Sequence, residues 1–173
     1  MTKIGTFFEE SEVKTYEVEE GPMTYRKGIN PNNGLPNEQV TFEKQVDEEN
    51  FLVQGTGERS MKLAEAGGIA THFNPYDPEV NGSLPKANAA VGAYPKRYVG
   101  AAKLTSRELQ LPLAPDNVEI KAGDKLEIKD PKTGLDKSAA TTNVVTSFDN
   151  IPANTGGYVT VDCDGPIRVK AAG

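Results

Sequence analysis

The chain has 173 residues and a mass of 18.6 kDa; 36% of its residues are hydrophobic, its mean hydropathy is -0.52, and its formal net charge is -6. That length suits one domain with an appended arm, and the low apolar share limits it to a modest core. The charge argues against direct nucleic-acid binding, which needs Lys and Arg to displace counterions.

The charge is unevenly spread. Residues 1–60 hold 12 acidic and 6 basic side chains, a balance of -6, whereas residues 61–173 hold 13 of each. An acidic first third suits contact with a basic protein surface, or simple solubility. Gly 17 and Pro 12 favour turns and short strands over long helices, and Trp is missing. The single cysteine, Cys163, excludes an intrachain disulfide and is expected to face inward as a small apolar residue. The first ten residues lack an apolar signal core and no stretch approaches a membrane span, so the expectation is a protein made in the cytoplasm without a recognisable export signal.

Residues 1–50 are polar and rich in turn formers, with breakers crowding 17–22 and 28–36. Met23–Arg26 and Val40–Val46 are expected to be short strands. The segment is expected to be an extended acidic arm that orders against a partner, because its composition is that of chains unable to bury a core alone. The β-rich domain is expected to run from 51 to 173. Phe51-Leu52-Val53 is a compact apolar run, and Gly55-Thr56-Gly57 a turn. Ser60–Ala66 contains helix formers followed by Gly67-Gly68, which predicts a short helix, with a strand running on to Phe73 as the alternative.

Residues 74–97 form a long loop by composition, of the kind that carries function or lies along a partner. Beyond it, Arg97–Lys103 and Leu109–Leu113 precede the clearest stretch of the chain. Val118 and Ile120 alternate with Glu119 and Lys121, and Leu126 and Ile128 with Glu127 and Lys129, so each run has one buried and one wet face. Ala122-Gly123-Asp124 between them predicts a hairpin turn. Asp130–Gly134 predicts a second turn, with Pro131 presetting φ and Gly134 at a left-handed position. Ala139–Phe148 and Tyr158–Cys163 are expected strands, Asp164-Gly165-Pro166 a turn, and Ile167–Lys170 the last strand.

The sequence carries few chemistry-bearing constellations. His72 is the sole histidine; a metal set with Asp77 and Glu79 lacks zinc spacing, so a structural role is expected. Asp162-Cys163-Asp164-Gly165 matches part of a calcium loop without its other ligands and is taken as a turn. Gly55-Thr56-Gly57-Glu58-Arg59-Ser60 lacks the third glycine of a nucleotide fingerprint, and Gly-Lys-Ser/Thr does not occur. The pairs Glu9-Glu10, Glu19-Glu20 and Glu48-Glu49 lie in polar segments and are expected to be solvated surface. Lys96-Arg97-Tyr98 is too short to hold a nucleic-acid backbone, and no basic amphipathic helix suggests a membrane surface. These readings favour no enzyme and no cofactor.

Arg97–Ala101, Val118–Leu126, Asp130–Gly134, Gly157–Val161 and the earlier Gly68-Ile69-Ala70 together resemble the small β-domain of tailed-bacteriophage capsid decoration, or cement, proteins. The resemblance spans roughly residues 68–171; the long acidic N-terminal region departs from it. It implies a mainly β fold, a small antiparallel β-sandwich or barrel-like domain with few or no helices. It further implies a virion protein on the outer capsid surface, a homotrimer whose partner is the major capsid protein, and stabilisation of the shell by bridging capsomers. The contact candidates are Phe7, Phe8, Tyr16, Tyr25, Phe42, Tyr76 and Tyr94, because aromatics exposed in polar segments supply interface energy. Deleting residues 1–50 is expected to leave a soluble β-domain with weakened shell binding. The alternative is a receptor- or glycan-binding β-module of a phage tail or cell surface, with Asn74-Pro75-Tyr76-Asp77 as its candidate loop.

Overall fold

The computed structural model describes residues 8–29, 31–34, 36–75 and 97–173. The fold is mainly β. In chain order the strands are β1 (Val13–Val18), β2 (Met23–Ile29), β3 (Pro36–Phe42), β4 (Phe51–Gln54), β5 (Ser60–Leu63), β6 (Ile69–Ala70) and β7 (His72–Phe73). They continue with β8 (Tyr98–Lys103), β9 (Ser106–Pro112), β10 (Lys125–Asp130), β11 (Gly134–Lys137), β12 (Val145–Ser147), β13 (Tyr158–Asp164) and β14 (Ile167–Arg168).

Strands β1-β5-β4-β7-β8 close into a small barrel, and β11-β10-β12-β13-β9 form a second sheet. The chain crosses from one to the other at Leu104-Thr105, where the Leu104 N–H is tied to the Thr71 carbonyl at 2.9 Å. The second sheet nearly closes on itself: Leu113 bridges Leu135, and the Ala114 N–H donates to the Leu135 carbonyl at 2.9 Å. One apolar core joins both units, from Phe51, Phe73 and Ala102 in the barrel to Leu109, Leu111, Leu126, Ile128, Val159, Val161 and Cys163 in the second sheet. The opposite face of the barrel wall supplies a separate cluster of Val18, Leu52, Met61, Val99 and Ala101, completed by Val46. This division follows from the period-two alternation of strands. Cys163 is fully buried, as its place in the alternating run requires.

Several sequence expectations change. Ser60–Leu63 is a barrel strand, not a helix, because pairing with β4 and β1 overrides its helix propensity. Val118–Lys121 does not fold back on β10. Ile120 instead exchanges two hydrogen bonds with Ile151, of 2.9 and 2.8 Å, and Val118 is exposed. The Ala122–Asp124 turn docks on β12, with the Gly123 N–H donating to Ser147 at 2.8 Å. The second turn forms as expected: the Thr133 N–H reaches the Asp130 carbonyl and the Lys132 N–H the Asp130 side chain. Gly134 takes φ +139°, and a Cβ there would collide with the Pro112 carbonyl and lie 3.0 Å from the Ala114 nitrogen. Glu127 is not on a wet face; it is buried and ion-paired to Arg168 at 2.9 Å. The Ala139–Phe148 strand narrows to Val145–Ser147.

The acidic first fifty residues divide differently from a single arm. β1 is a wall strand of the barrel, paired in parallel with β5 and antiparallel with β8. Phe8 and Val46 are buried core residues. Removing residues 1–50 would therefore open the barrel, contrary to the expectation of a soluble remainder. Between these fixed points, β2 and β3 pair, among the described residues, only with each other, through seven register pairs from Met23↔Phe42 to Ile29↔Pro36.

Candidate binding site at the base of the ribbon

The β2–β3 ribbon is a candidate for contact because, among the described residues, it pairs with no strand of the barrel or the second sheet. Directly opposed residues share a face in an antiparallel ladder. Met23, Tyr25 and Ile29 thus share register positions with Phe42, Val40 and Pro36, with Lys27 opposite Glu38, while Thr24, Arg26 and Gly28 alternate with them opposite Thr41, Gln39 and Asn37.

The ribbon leaves the barrel at a heavily bonded base. The Glu43 N–H donates to the Pro22 carbonyl at 2.9 Å, and the Lys44 N–H to the Glu20 carbonyl at 2.8 Å. Glu20 is 5% exposed. Its carboxylate accepts from the Val46 N–H at 2.8 Å and from the Arg97 guanidinium, itself largely buried. Burial pushes the Glu20 carboxyl above its ordinary range, against the opposing pull of Val46 and Arg97. Glu19, one residue earlier and so on the other face of the extended chain, enters the turn between β4 and β5. It accepts from the Thr56 N–H at 2.6 Å, the Thr56 hydroxyl at 2.6 Å and the Ser60 hydroxyl at 2.9 Å. Hydrogen bonding from Thr56 holds its carboxyl below the usual range. The Gly55-Thr56-Gly57 turn is thus a carboxylate cradle, and a Cβ on Gly55 would overlap Glu19 Oε2. Glu19-Glu20, expected to be solvated surface, is the best-anchored dipeptide of the region.

Residues 45–50 form the hub beside this base. The Asp47 N–H donates to Asn50 Oδ1 at 2.8 Å, and Asn74 Nδ2 donates to the Asp47 carbonyl at 2.8 Å. The Asn74 N–H reaches the Asn50 carbonyl at 2.9 Å. The Tyr158 hydroxyl of the second sheet donates to the Glu49 carboxylate; burial, then Glu49, pushes its pKa up to about 12. The Phe51 N–H binds the Pro131 carbonyl at 2.9 Å. Ribbon base, barrel and second sheet are therefore one bonded unit.

The contact candidates separate accordingly. Phe8 is 1% exposed, stacked on Phe73 and covered by Arg107, so it is core rather than surface. Tyr16 is half-buried against His72, with Arg59 over its ring at 5.6 Å. Tyr25 and Phe42 lie in the ribbon, and Phe42 is partly buried at its base. Phe7, Tyr76 and Tyr94 fall outside the described residues, as do Asp77 and Glu79. The exposed aromatics that sequence reasoning passed over are Tyr98, Phe148 and Tyr158. Composition marks none of them, since each sits in a strand or at its end beside buried neighbours.

His72 behaves as a structural residue: its Nδ1 is 2.8 Å from the Thr71 hydroxyl, and burial followed by Lys103 depresses its pKa. The Arg97 of the Lys96-Arg97-Tyr98 cluster is committed to Glu20. The Cys163 thiol donates to the Gly165 carbonyl at 3.2 Å, and burial raises its pKa, the reverse of an activated nucleophile. Among the described residues no group of three His, Cys, Asp or Glu is placed to hold a metal ion, and no helix is long and apolar enough to cross a membrane. No protein-family model matches the chain, and no curated protein matches it.

Proposed function

We propose that the chain is a capsid decoration protein of a tailed bacteriophage, binding the outer surface of the assembled head through its ribbon and bridging neighbouring capsomers. Its partners in this reading are the major capsid protein and, as a homotrimer, further copies of itself; no catalysis is involved. The observation that carries the reading is the ribbon. Seven register pairs extend from the body without pairing to another strand among the described residues, and an isolated two-stranded ribbon is marginal in water. Such an element gains its stability from a surface laid against it, while the bonded base holds it ready. A protein that binds only the assembled shell stabilises that shell by mass action. Co-sedimentation of the purified chain with heads of the phage that encodes it, beside light scattering of the free chain, tests the reading. Saturable binding and a trimeric mass support it; no binding to intact heads removes it.

A receptor- or glycan-binding module is the second reading. Ser147 and Val161 oppose each other and are buried, so the exposed Phe148 and Tyr158 fall on the outer face of the second sheet with Thr160. A specific hit on a glycan array, lost in Phe148→Ala, would favour it over the decoration role.

A further inference from the structure

We infer that Glu19 and Glu20 are a two-sided clamp that fixes the direction in which the ribbon leaves the barrel, and that they are positioning residues for whatever surface the ribbon engages. The inference rests on the ribbon being the binding element, but the clamp is tested apart from any partner. Successive residues of an extended chain point to opposite faces. Here that alternation sends one carboxylate to each side of the barrel wall. Glu19 fills the cradle of Thr56 and Ser60, and Glu20 reaches Val46 and Arg97. Both are locked immediately before Gly21, whose φ of +71° turns the chain into Pro22 and the ribbon.

The two halves differ in chemistry. The Glu19 seat is made of hydroxyls and backbone N–H groups around a glycine turn, and its depth depends on Gly55 having no Cβ. The Glu20 seat is a buried ion pair with a backbone donor. Losing one seat leaves the exit held by the other carboxylate and by the backbone bonds of Glu19 to Met61, Lys44 to Glu20 and Glu43 to Pro22, so the ribbon's direction is fixed less tightly. The strands of the ribbon and the barrel keep their own ladders.

The experiment uses the full chain with spin labels at Gly28→Cys and Lys121→Cys. A Cβ at Gly28 meets nothing within 4 Å, Lys121 is exposed, and buried Cys163 stays unlabelled. The distance distribution between labels is measured for the parent and for Glu19→Gln, Gly55→Ala and Glu20→Gln. Gly55→Ala expels the Glu19 carboxylate without altering Glu19, so it guards against an effect peculiar to one substitution. The clamp predicts a single narrow distribution in the parent and broadening in all three variants, with hydrogen-exchange protection of β1 and β8 retained. Head affinity should then fall by about tenfold, the scale of one lost contact. Unchanged narrow distributions in folded variants overturn the inference, as does broadening that appears only with loss of β1 protection. A broadened ribbon with undiminished head binding leaves the clamp standing and overturns the ribbon's role in binding.

Discussion

The Arg107 guanidinium carbon lies 4.9 Å from the centre of the Phe8 ring, and the same guanidinium donates to Glu12 at 2.9 Å. Arg107 belongs to β9 of the second sheet, whereas Phe8 stacks on Phe73 of the barrel with ring centres 5.9 Å apart. The N-terminal segment therefore rivets the two sheets together. Phe8→Ala should cost about 3–5 kcal/mol, the range for a buried aromatic truncated in a core. Urea unfolding measures it; a loss below about 1 kcal/mol would mean that the segment is dispensable.

Removing residues 1–50 should yield an unfolded or aggregating chain, because β1 separates β5 from β8 in a closed wall. Replacing residues 23–42 by an Asn-Gly turn should preserve the fold, since Pro22 and Glu43 are already hydrogen-bonded neighbours. Circular dichroism and thermal melting of the two variants distinguish these outcomes.

Asn117 shows what pattern reading cannot reach. It is buried, its Nδ2 donates to the carbonyls of Val118 and Pro152 at 2.7 and 3.1 Å, and its Oδ1 accepts from Thr155 and Gly156 at 3.1 and 3.0 Å. Asn117→Ala strands all four groups and should destabilise by about 1–3 kcal/mol or more. Melting curves test this, with exposed Asp116→Ala as the control expected to change little.

At Gly134, substitution meets both a positive φ and the Pro112 carbonyl. Gly134→Ala should therefore lose more than the about 1–3 kcal/mol typical of backbone strain. Gly28→Ala, with open space around it, should be nearly neutral.

Two titrations should tilt stability in opposite senses. His72 is depressed below its ordinary 6.5, so the unfolded chain takes the proton first, and stability falls as pH drops below 6.5. Glu20 is raised above 4.5 by burial, facing Arg97, the Val46 N–H and Asp47. The folded state then binds its proton more tightly, and its contribution is lost as pH rises through that raised value. Urea midpoints against pH should lose the first slope in His72→Gln and the second in Glu20→Gln; an unchanged profile in either contradicts that assignment.

The sequence announced what alternation and turn chemistry encode locally. Val159, Val161 and Cys163 face the core as their spacing requires, and Asp130–Gly134 makes its turn. It concealed what depends on distant partners. Ser60–Leu63 has helix-forming residues, and only β4 and β1 make it a strand. Ile120 alternates like a hairpin strand but finds Ile151 rather than β10. At the candidate site, the ribbon was half legible as two short strands, but its base was not. Glu19 and Glu20 are ordinary surface residues by composition, and their seats lie about forty and eighty residues downstream at Thr56, Ser60 and Arg97.

The most direct test is co-sedimentation of intact chain and the ribbon-replaced variant with purified heads of the encoding phage. Saturable binding by the intact chain, and its loss in a variant of unchanged melting behaviour, is the expected result. Equal binding by both folded proteins would contradict the ribbon as the element that engages the shell.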